Sequence, residues 1–536
     1  MLDAEKLFRA GCDYARHYAD YLLSLCADYR LGGERARTAL HQLEQDFDQI
    51  AHAQAWCATH SPRSEEARTL CSDFGRIPPA LLEYQRTLDQ AIDWYTAALN
   101  AALSLNALRD AAQHHHSLGV LHMRLGDQPA ALAHHQAALR LAQENGVYEC
   151  IANALNGMGD LHLLGGAFGD ALASLNAAWS AAERHGYTRG MADVGVSMGN
   201  VYKAMNDFPR AEDAYTRSLT LYRMLDDTAQ AAIVLSLLGE VAYAQGDQAR
   251  GRALQMESLH HASAIGHQRG MSHALCNLGY LAADSGDFPA AARYLERALS
   301  IDRRLGDQHH TAVTLLGLGN ISHNLGRYAE AERQFRECQA LCAANGDRIG
   351  QGMSLSRLGA VAAAGGDRAG AIAAYREAID LFSAIGDGWG VAMCSARLGE
   401  VYLSAHQPDL AHDCYTRTLT LTDQIGDRRG RIVAHTGLGQ AAVLYGDQPG
   451  ALAHFRAAYL DAIALDQLRL ALPALIGIAR CAPPERAADL LTIIIRHPAA
   501  AHTDRAEARR LLARLKARPV PDRAVPAIDA SLIDGL

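Results

Sequence analysis

Lysine is nearly missing from this 536-residue chain: only Lys6, Lys203 and Lys516 occur, so almost every positive charge is an arginine. The 50 basic side chains are outnumbered by 59 acidic ones, giving a formal net charge of −9. That balance lacks the basic footprint of a general phosphate-backbone binder, and no nucleic-acid partner is expected. No apolar run of 18 residues occurs, and no charged-then-apolar leader follows Met1. The expectation is therefore a soluble, cytoplasmic chain with no membrane partner. The eleven cysteines are odd in number and never in CxxC spacing, which fits reduced thiols better than a disulfide framework. There is no Gly-Lys dipeptide, hence no Walker A loop. What remains is a chain that is 49% apolar and 20% charged, enough to bury a large core.

A repeat dominates that chain. Glycines stand 40 residues apart at Gly119, Gly159, Gly199, Gly239, Gly279, Gly319, Gly359, Gly399 and Gly439, most of them after a leucine. A turn follows seven or eight residues on, as in Gly126-Asp127, Gly286-Asp287 and Gly446-Asp447. A small residue recurs at Ala131, Ala171, Ala211, Gly251, Ala291, Ala331, Ala371, Ala411 and Ala451. A second turn closes the period, as in Gly306-Asp307 and Gly386-Asp387. Four registers held over nine periods define one architecture.

Each period reads as two helices. After Met271, the apolar residues Ala274, Leu275, Leu278, Leu281 and Ala282 have helical spacing. Gly286-Asp287 stops that helix and offers Asp287 as the next N-cap, with Pro289 tolerated in the first turn. Ala291, Leu295, Ala298 and Leu299 line one face of the second helix before Gly306 ends it. A mid-helix glycine costs about 1 kcal/mol against alanine. Close approach of paired backbones at the glycine and the small residue is the expected compensation.

The pattern Leu-Gly-x-x-aromatic, then Gly-Asp, then an alanine with an aromatic four residues on (Ala211 with Tyr215, Ala371 with Tyr375, Ala411 with Tyr415) resembles the tetratricopeptide repeat. Its period resembles the 40-residue variety of spindle-orientation adaptors and of sensor arms in bacterial NTPase-type signalling regulators. HEAT repeats share a similar period but lack this signature. The resemblance implies an all-α, right-handed α-solenoid of stacked helix pairs with helical caps at both ends. The expected organisation is an N-terminal helical cap or linker over 1–78 and the array, a leading helix and nine pairs, over 79–466. A degenerate repeat and capping helix follow over 467–517, and a disordered tail over 518–536. The N-terminal His17-Tyr18-Ala19-Asp20-Tyr21, Leu43–Asp48 and Ala55-Trp56 resemble the linker before such sensor arrays, and His497-Pro498 with Asp504-Arg505-Ala506 resembles their close.

Several motifs tempt and fail. Gly195-Val196-Ser197-Met198-Gly199 spells GxSxG, yet Gly199 is a repeat glycine within a helix and not a strand-to-helix elbow. Asp73-Phe74-Gly75 spells DFG without a strand lysine to pair nucleotide phosphates. The histidine runs, among them His114–His116 and His134-His135, lack a converging tetrahedral set, and Cys338 and Cys342 read as buried thiols. No cofactor, metal or catalytic residue is expected.

By the same resemblance, partner-binding positions lie three and two before, and one, four and five after, each repeat glycine. Those columns give Asn156, Asp160, Asn200, Lys203, Glu240, Tyr280, Asn320, His323, Asn324, Arg357, Arg397 and Glu400. Amides there can bond a peptide backbone and guanidiniums its carboxylates. Asn320, His323, Asn324, Arg357 and Arg397 partly resemble the carboxylate clamp of chaperone-binding repeat proteins, but Leu316 and Met393 stand where that clamp has lysines. The expected function is a non-catalytic scaffold binding a protein or peptide segment, acidic by this clamp. A ligand-sensing arm acting on a separate effector is the alternative, and a response-regulator phosphatase is a third reading. The tail, with Ile528, Leu532 and Ile533 among aspartates, suggests self-association or a place in the groove in cis.

Overall fold

The computed structural model describes residues 4–30, 33–82, 86–498, 500–515 and 528–533. Among them every regular element is a helix. The chain divides into two compact units, Met1–Gly306 and Asp307–Leu536.

In the first unit, two long helices, Ala4–Arg30 and Gly33–His60, precede the short helices Glu65–Phe74 and Pro79–Leu82 and the leading helix Leu88–Ser104. Five pairs follow: Leu108–Leu125 with Gln128–Glu144, Tyr148–Leu164 with Phe168–Arg184, Thr188–Ala204 with Phe208–Met224, Thr228–Ala244 with Gln248–Ala264, and Gln268–Asp284 with Phe288–Leu305. In the second unit the pairs are Gln308–Asn324 with Tyr328–Ala344, Arg348–Ala364 with Arg368–Ala384, Gly388–Ser404 with Pro408–Ile425, and Arg428–Tyr445 with Gln448–Ala464. Three further helices, Leu468–Cys481, Pro484–Arg496 and His502–Arg514, end the stack. Within each unit successive pairs pack on one another, the α-solenoid arrangement the repeat implies.

The turn chemistry is as the sequence predicts. Asp287 accepts the backbone N–H of Ala290 at 3.0 Å, and Gly286 takes φ 80°, so its successor's N–H reaches back to Ala282 O at 2.9 Å. Asp127, Asp247, Asp307, Asp347, Asp367, Asp387, Asp427 and Asp447 cap their helices in the same way.

The compensation for the repeat glycine differs in detail from the expected contact. The glycine faces the bulky residue four positions after the small one: a Cβ on Gly439 would stand 2.7 Å from Phe455 Cε1, and one on Gly279 2.6 Å from Leu295 Cγ. Tyr215, Phe335, Tyr375 and Tyr415 fill the same slot opposite Gly199, Gly319, Gly359 and Gly399. The small residue lets the backbones approach; the large side chain fills the gap that approach leaves.

Two terminal features depart from the sequence reading. Helix Gly33–His60 spans about 40 Å at 1.5 Å per residue. It packs Phe47 against Trp94 of the leading helix, while its first turns bring Ala36 against Ala229 and Ile265 of the fourth pair. The N-terminal segment is thus a strap along the first unit and more than an end cap. Within the tail expected to be disordered, Ala530–Ile533 forms a 3₁₀ turn with Leu532 and Ile533 buried. Tyr459 Oη donates to Asp529 O at 2.7 Å, and Arg486 donates to Leu532 O at 2.8 Å. The physical reason is that Ile528, Leu532 and Ile533 complete the apolar surface that the last helices leave open. The rest of the tail call, 518–527 and 534–536, lies outside the described residues.

Candidate functional site

The candidate residues all lie on the first helices of their pairs. In the first unit they form a cross-linked row. Lys203 Nζ donates to Glu240 Oε2 at 2.8 Å, and Asn277 Nδ2 donates to Glu240 Oε1 at 3.1 Å, so three successive first helices are tied together. Asn200 is held from the side by Tyr215 Oη at 2.7 Å. Asn277 also donates to Ser236 Oγ at 3.1 Å. Glu240, Asn277, Tyr280 and Asp284 line an open cavity of about 330 Å³.

Asp160 and Asp193 add a second acidic element to this unit. Burial raises the Asp160 carboxyl to about 6, against a lowering hydrogen bond from Ser197 and a raising effect of Asp193. Burial likewise raises Asp193 to about 6, opposed by the Tyr222 hydroxyl that donates to it and by Arg189. Both carboxyls are therefore harder to ionise than an exposed aspartate. Asn156, one turn before Asp160, keeps a buried Oδ1 with no hydrogen-bond partner among the described residues.

In the second unit, Asn320 is half-buried, Asn324 is exposed, and the His323 ring lies tilted against Tyr328 with centroids 5.6 Å apart. Arg397 is exposed and turns onto Glu400, with Nη1 at 3.1 and 3.0 Å from the two carboxylate oxygens. Arg357 is half-buried on the preceding first helix. Arg397 and Glu400 line an open cavity of about 600 Å³ together with Trp389, Met393, Arg429 and Arg469.

Sequence reasoning missed Asn277, Asp193, Trp389, Arg429 and Arg469. Asn277 was within reach, since it stands two before Gly279 as Arg397 stands two before Gly399. Trp389, Arg429 and Arg469 share a different register, ten residues before Gly399, Gly439 and Ala479, which the borrowed columns do not include. The motifs set aside also fall as expected: Gly195–Gly199 lies inside helix Thr188–Ala204 with Ser197 buried, and Cys338 and Cys342 are buried.

With this geometry in place the class is plain. Residues 230–304, 270–344 and 310–384 match the tetratricopeptide-repeat family model, and the chain is a tetratricopeptide-repeat protein with a 40-residue period. Residues 17–162 match the model of anaphase-promoting complex subunit 5. No curated protein matches the sequence. Among solved structures it is similar to a Rap protein complexed with competence and sporulation factor, at 13% identity over 68% of this chain and 99% of that one, TM-score 0.48. Apo RapI is 14% identical over 51% of this chain and 98% of its own, TM-score 0.43. Yeast Tom70 is 15% identical over 84% of this chain and 95% of its own, TM-score 0.41. No described helix is long and apolar enough to cross a membrane.

Proposed function

We propose that the chain is a non-catalytic scaffold that holds a protein or peptide segment against the exposed face of its first helices. One observation carries the reading: each unit has an open cavity on that face, and each is lined by residues the repeat columns single out, Glu240 and Tyr280 in the first, Arg397 and Glu400 in the second. Cavities of some hundreds of Å³ with a few polar groups suit side chains of a bound segment. The acidic row of the first unit and the arginines of the second give each cavity its own chemistry.

The test is affinity purification of the tagged chain from its native cells, followed by mass spectrometry. Partners should be recovered by the parent and lost by a variant carrying Glu240→Ala, Tyr280→Ala, Arg397→Ala and Glu400→Ala whose melting is unchanged. A partner set identical in both would refute the face as the binding surface.

A second reading is favoured by the strap. Arg37, His41 and Glu44 of helix Gly33–His60 face Gln268, Met271 and Arg304 across a cavity of about 630 Å³. A ligand entering that cavity would couple the N-terminal helices to the fourth and fifth pairs, as a sensing arm for a separate effector requires. Hydrogen exchange in 33–60 that changes with a native trigger would support it.

A further inference from the structure

The register ten residues before the repeat glycine carries several charged residues whose partners differ along the chain. In the first unit two arginines of this register are neutralised by an acid of the next pair: Arg109 meets Glu149 at 2.7 Å, and Arg189 meets Asp227 at 2.7 Å. In the second unit the register reads His309, Ile349, Trp389, Arg429 and Arg469, so its last two members are both arginines. Arg469 stands one period after Arg429, where Glu149 stands one period after Arg109, so an acid has been replaced by a second base. Neither Arg429 nor Arg469 has an ion-pair partner among the described residues, although the nearby Arg431 takes Asp461 at 2.8 Å. Both are exposed, and both line the 600 Å³ cavity with Trp389, which is 49% exposed. Two like charges thus stand beside an uncovered indole without an ion pair among the described residues, with Asp427 as the other acid in the lining besides Glu400.

We propose that this cavity binds an acidic peptide segment of a partner protein, with carboxylates on Arg429 and Arg469 and a bulky apolar side chain against Trp389 and Met393. The inference rests on the scaffold reading and names the chemistry of its partner. Each guanidinium presents a planar fork that matches a carboxylate. Trp and Arg are also the residues that most often dominate binding energy when a partner desolvates them. Ala392, Ala396, Val433 and Leu470 form an apolar floor for the partner's side chain. On the opposite rim Arg397 is satisfied by Glu400, and the Asp427 carboxylate in the lining caps its own helix on the backbone N–H groups of Arg429 and Gly430, so the two arginines outnumber the remaining acid. Sites for small metabolites bury most of the ligand, whereas the tryptophan and both arginines here are exposed, which favours a segment of chain over a free acid.

The experiment is selection of random dodecapeptides displayed on phage against the full chain, repeated on Arg429→Glu/Arg469→Glu, on Trp389→Ala and on Arg357→Ala/Arg397→Ala, each with melting matched to the parent. The parent should enrich peptides in which Asp or Glu flanks Phe, Leu or Trp. A synthetic peptide of the enriched sequence should lose at least tenfold in affinity on the charge reversal and on Trp389→Ala, and should weaken with added salt. Arg429→Lys/Arg469→Lys should retain part of it, since charge survives without the fork. Peptides that lack acidic enrichment, no enrichment at all, or full displacement by free glutarate at equal carboxylate concentration would overturn the proposal. Peptides lost on Arg357→Ala/Arg397→Ala but unaffected by the charge reversal would also overturn it while sustaining the scaffold reading.

Discussion

Gly439 and Phe455 are made for each other: the Cβ that the glycine lacks would stand 2.7 Å from the ring's Cε1. Alanine in a helix normally gains about 1 kcal/mol over glycine. Here the overlap should reverse the sign, because overpacking costs about 1–3 kcal/mol. Gly439→Ala should therefore lower the melting temperature, while Gly169→Ala, where a Cβ meets nothing within 4 Å, should leave it unchanged or raise it. Thermal denaturation of the two variants decides whether the repeat glycine is a packing residue.

His135 occupies the slot of Phe455 but with the wrong chemistry. It is wholly buried between Gly119 and Gly157, as Phe455 is between Gly439 and Gly477, and neither ring nitrogen has a hydrogen-bond partner among the described residues. Leaving a buried polar group unsatisfied costs about 1–3 kcal/mol. His135→Phe should stabilise the first unit by about 1 kcal/mol or more, read by denaturant unfolding.

The same ring belongs to an acid-sensitive group. Burial lowers His114, His115, His116 and His267 to about 4 and His135 to about 3. An unfolded histidine titrates near 6.5, so below that pH the unfolded chain binds more protons than the folded one. Stability held above pH 6.5 should fall as pH drops toward 4. Asp160 and Asp193, raised to about 6, act in the opposite direction between pH 6 and the unfolded carboxylate value, but they are two against five. Melting followed from pH 7 to pH 4 should show the loss, and His135→Phe should lessen it.

The docked tail should matter to the second unit. Leu532 and Ile533 are buried against the last helices, and full burial of such side chains contributes about 1.5–3 kcal/mol each. Ending the chain at residue 527 should lower the melting temperature of the second unit. Leu532→Asp should reproduce the effect if burial, and not chain length, is the cause.

Arg357→Ala with Arg397→Ala should leave melting nearly unchanged, since an exposed pair such as Arg397–Glu400 contributes about 0–1 kcal/mol. Binding of the native partner, measured by calorimetry, should weaken by about 2 kcal/mol if these are anchoring arginines.

The periodic part of this fold was legible because each period repeats the same local chemistry. Leu-Gly, Gly-Asp and the small residue with its aromatic mark helix, turn and contact independently, and Asp287 caps its helix as its position implies. What the sequence hid is non-periodic. Nothing in Ala36 announces that it meets Ala229 and Ile265, and Leu532 resembles any apolar residue of a frayed end. The site was half legible for a related reason. Columns taken from one kind of array found Glu240, Tyr280 and Arg397, whereas Trp389, Arg429 and Arg469 lie in a column whose meaning depends on an acid missing one period away.

The most direct test of the account is hydrogen–deuterium exchange of the full chain with and without its purified native partner. Protection should concentrate in the first helices Thr228–Ala244, Gln268–Asp284, Gly388–Ser404 and Arg428–Tyr445, where the two cavities lie. Protection confined to second helices such as Gln248–Ala264 and Pro408–Ile425, with the first helices unchanged, would contradict it.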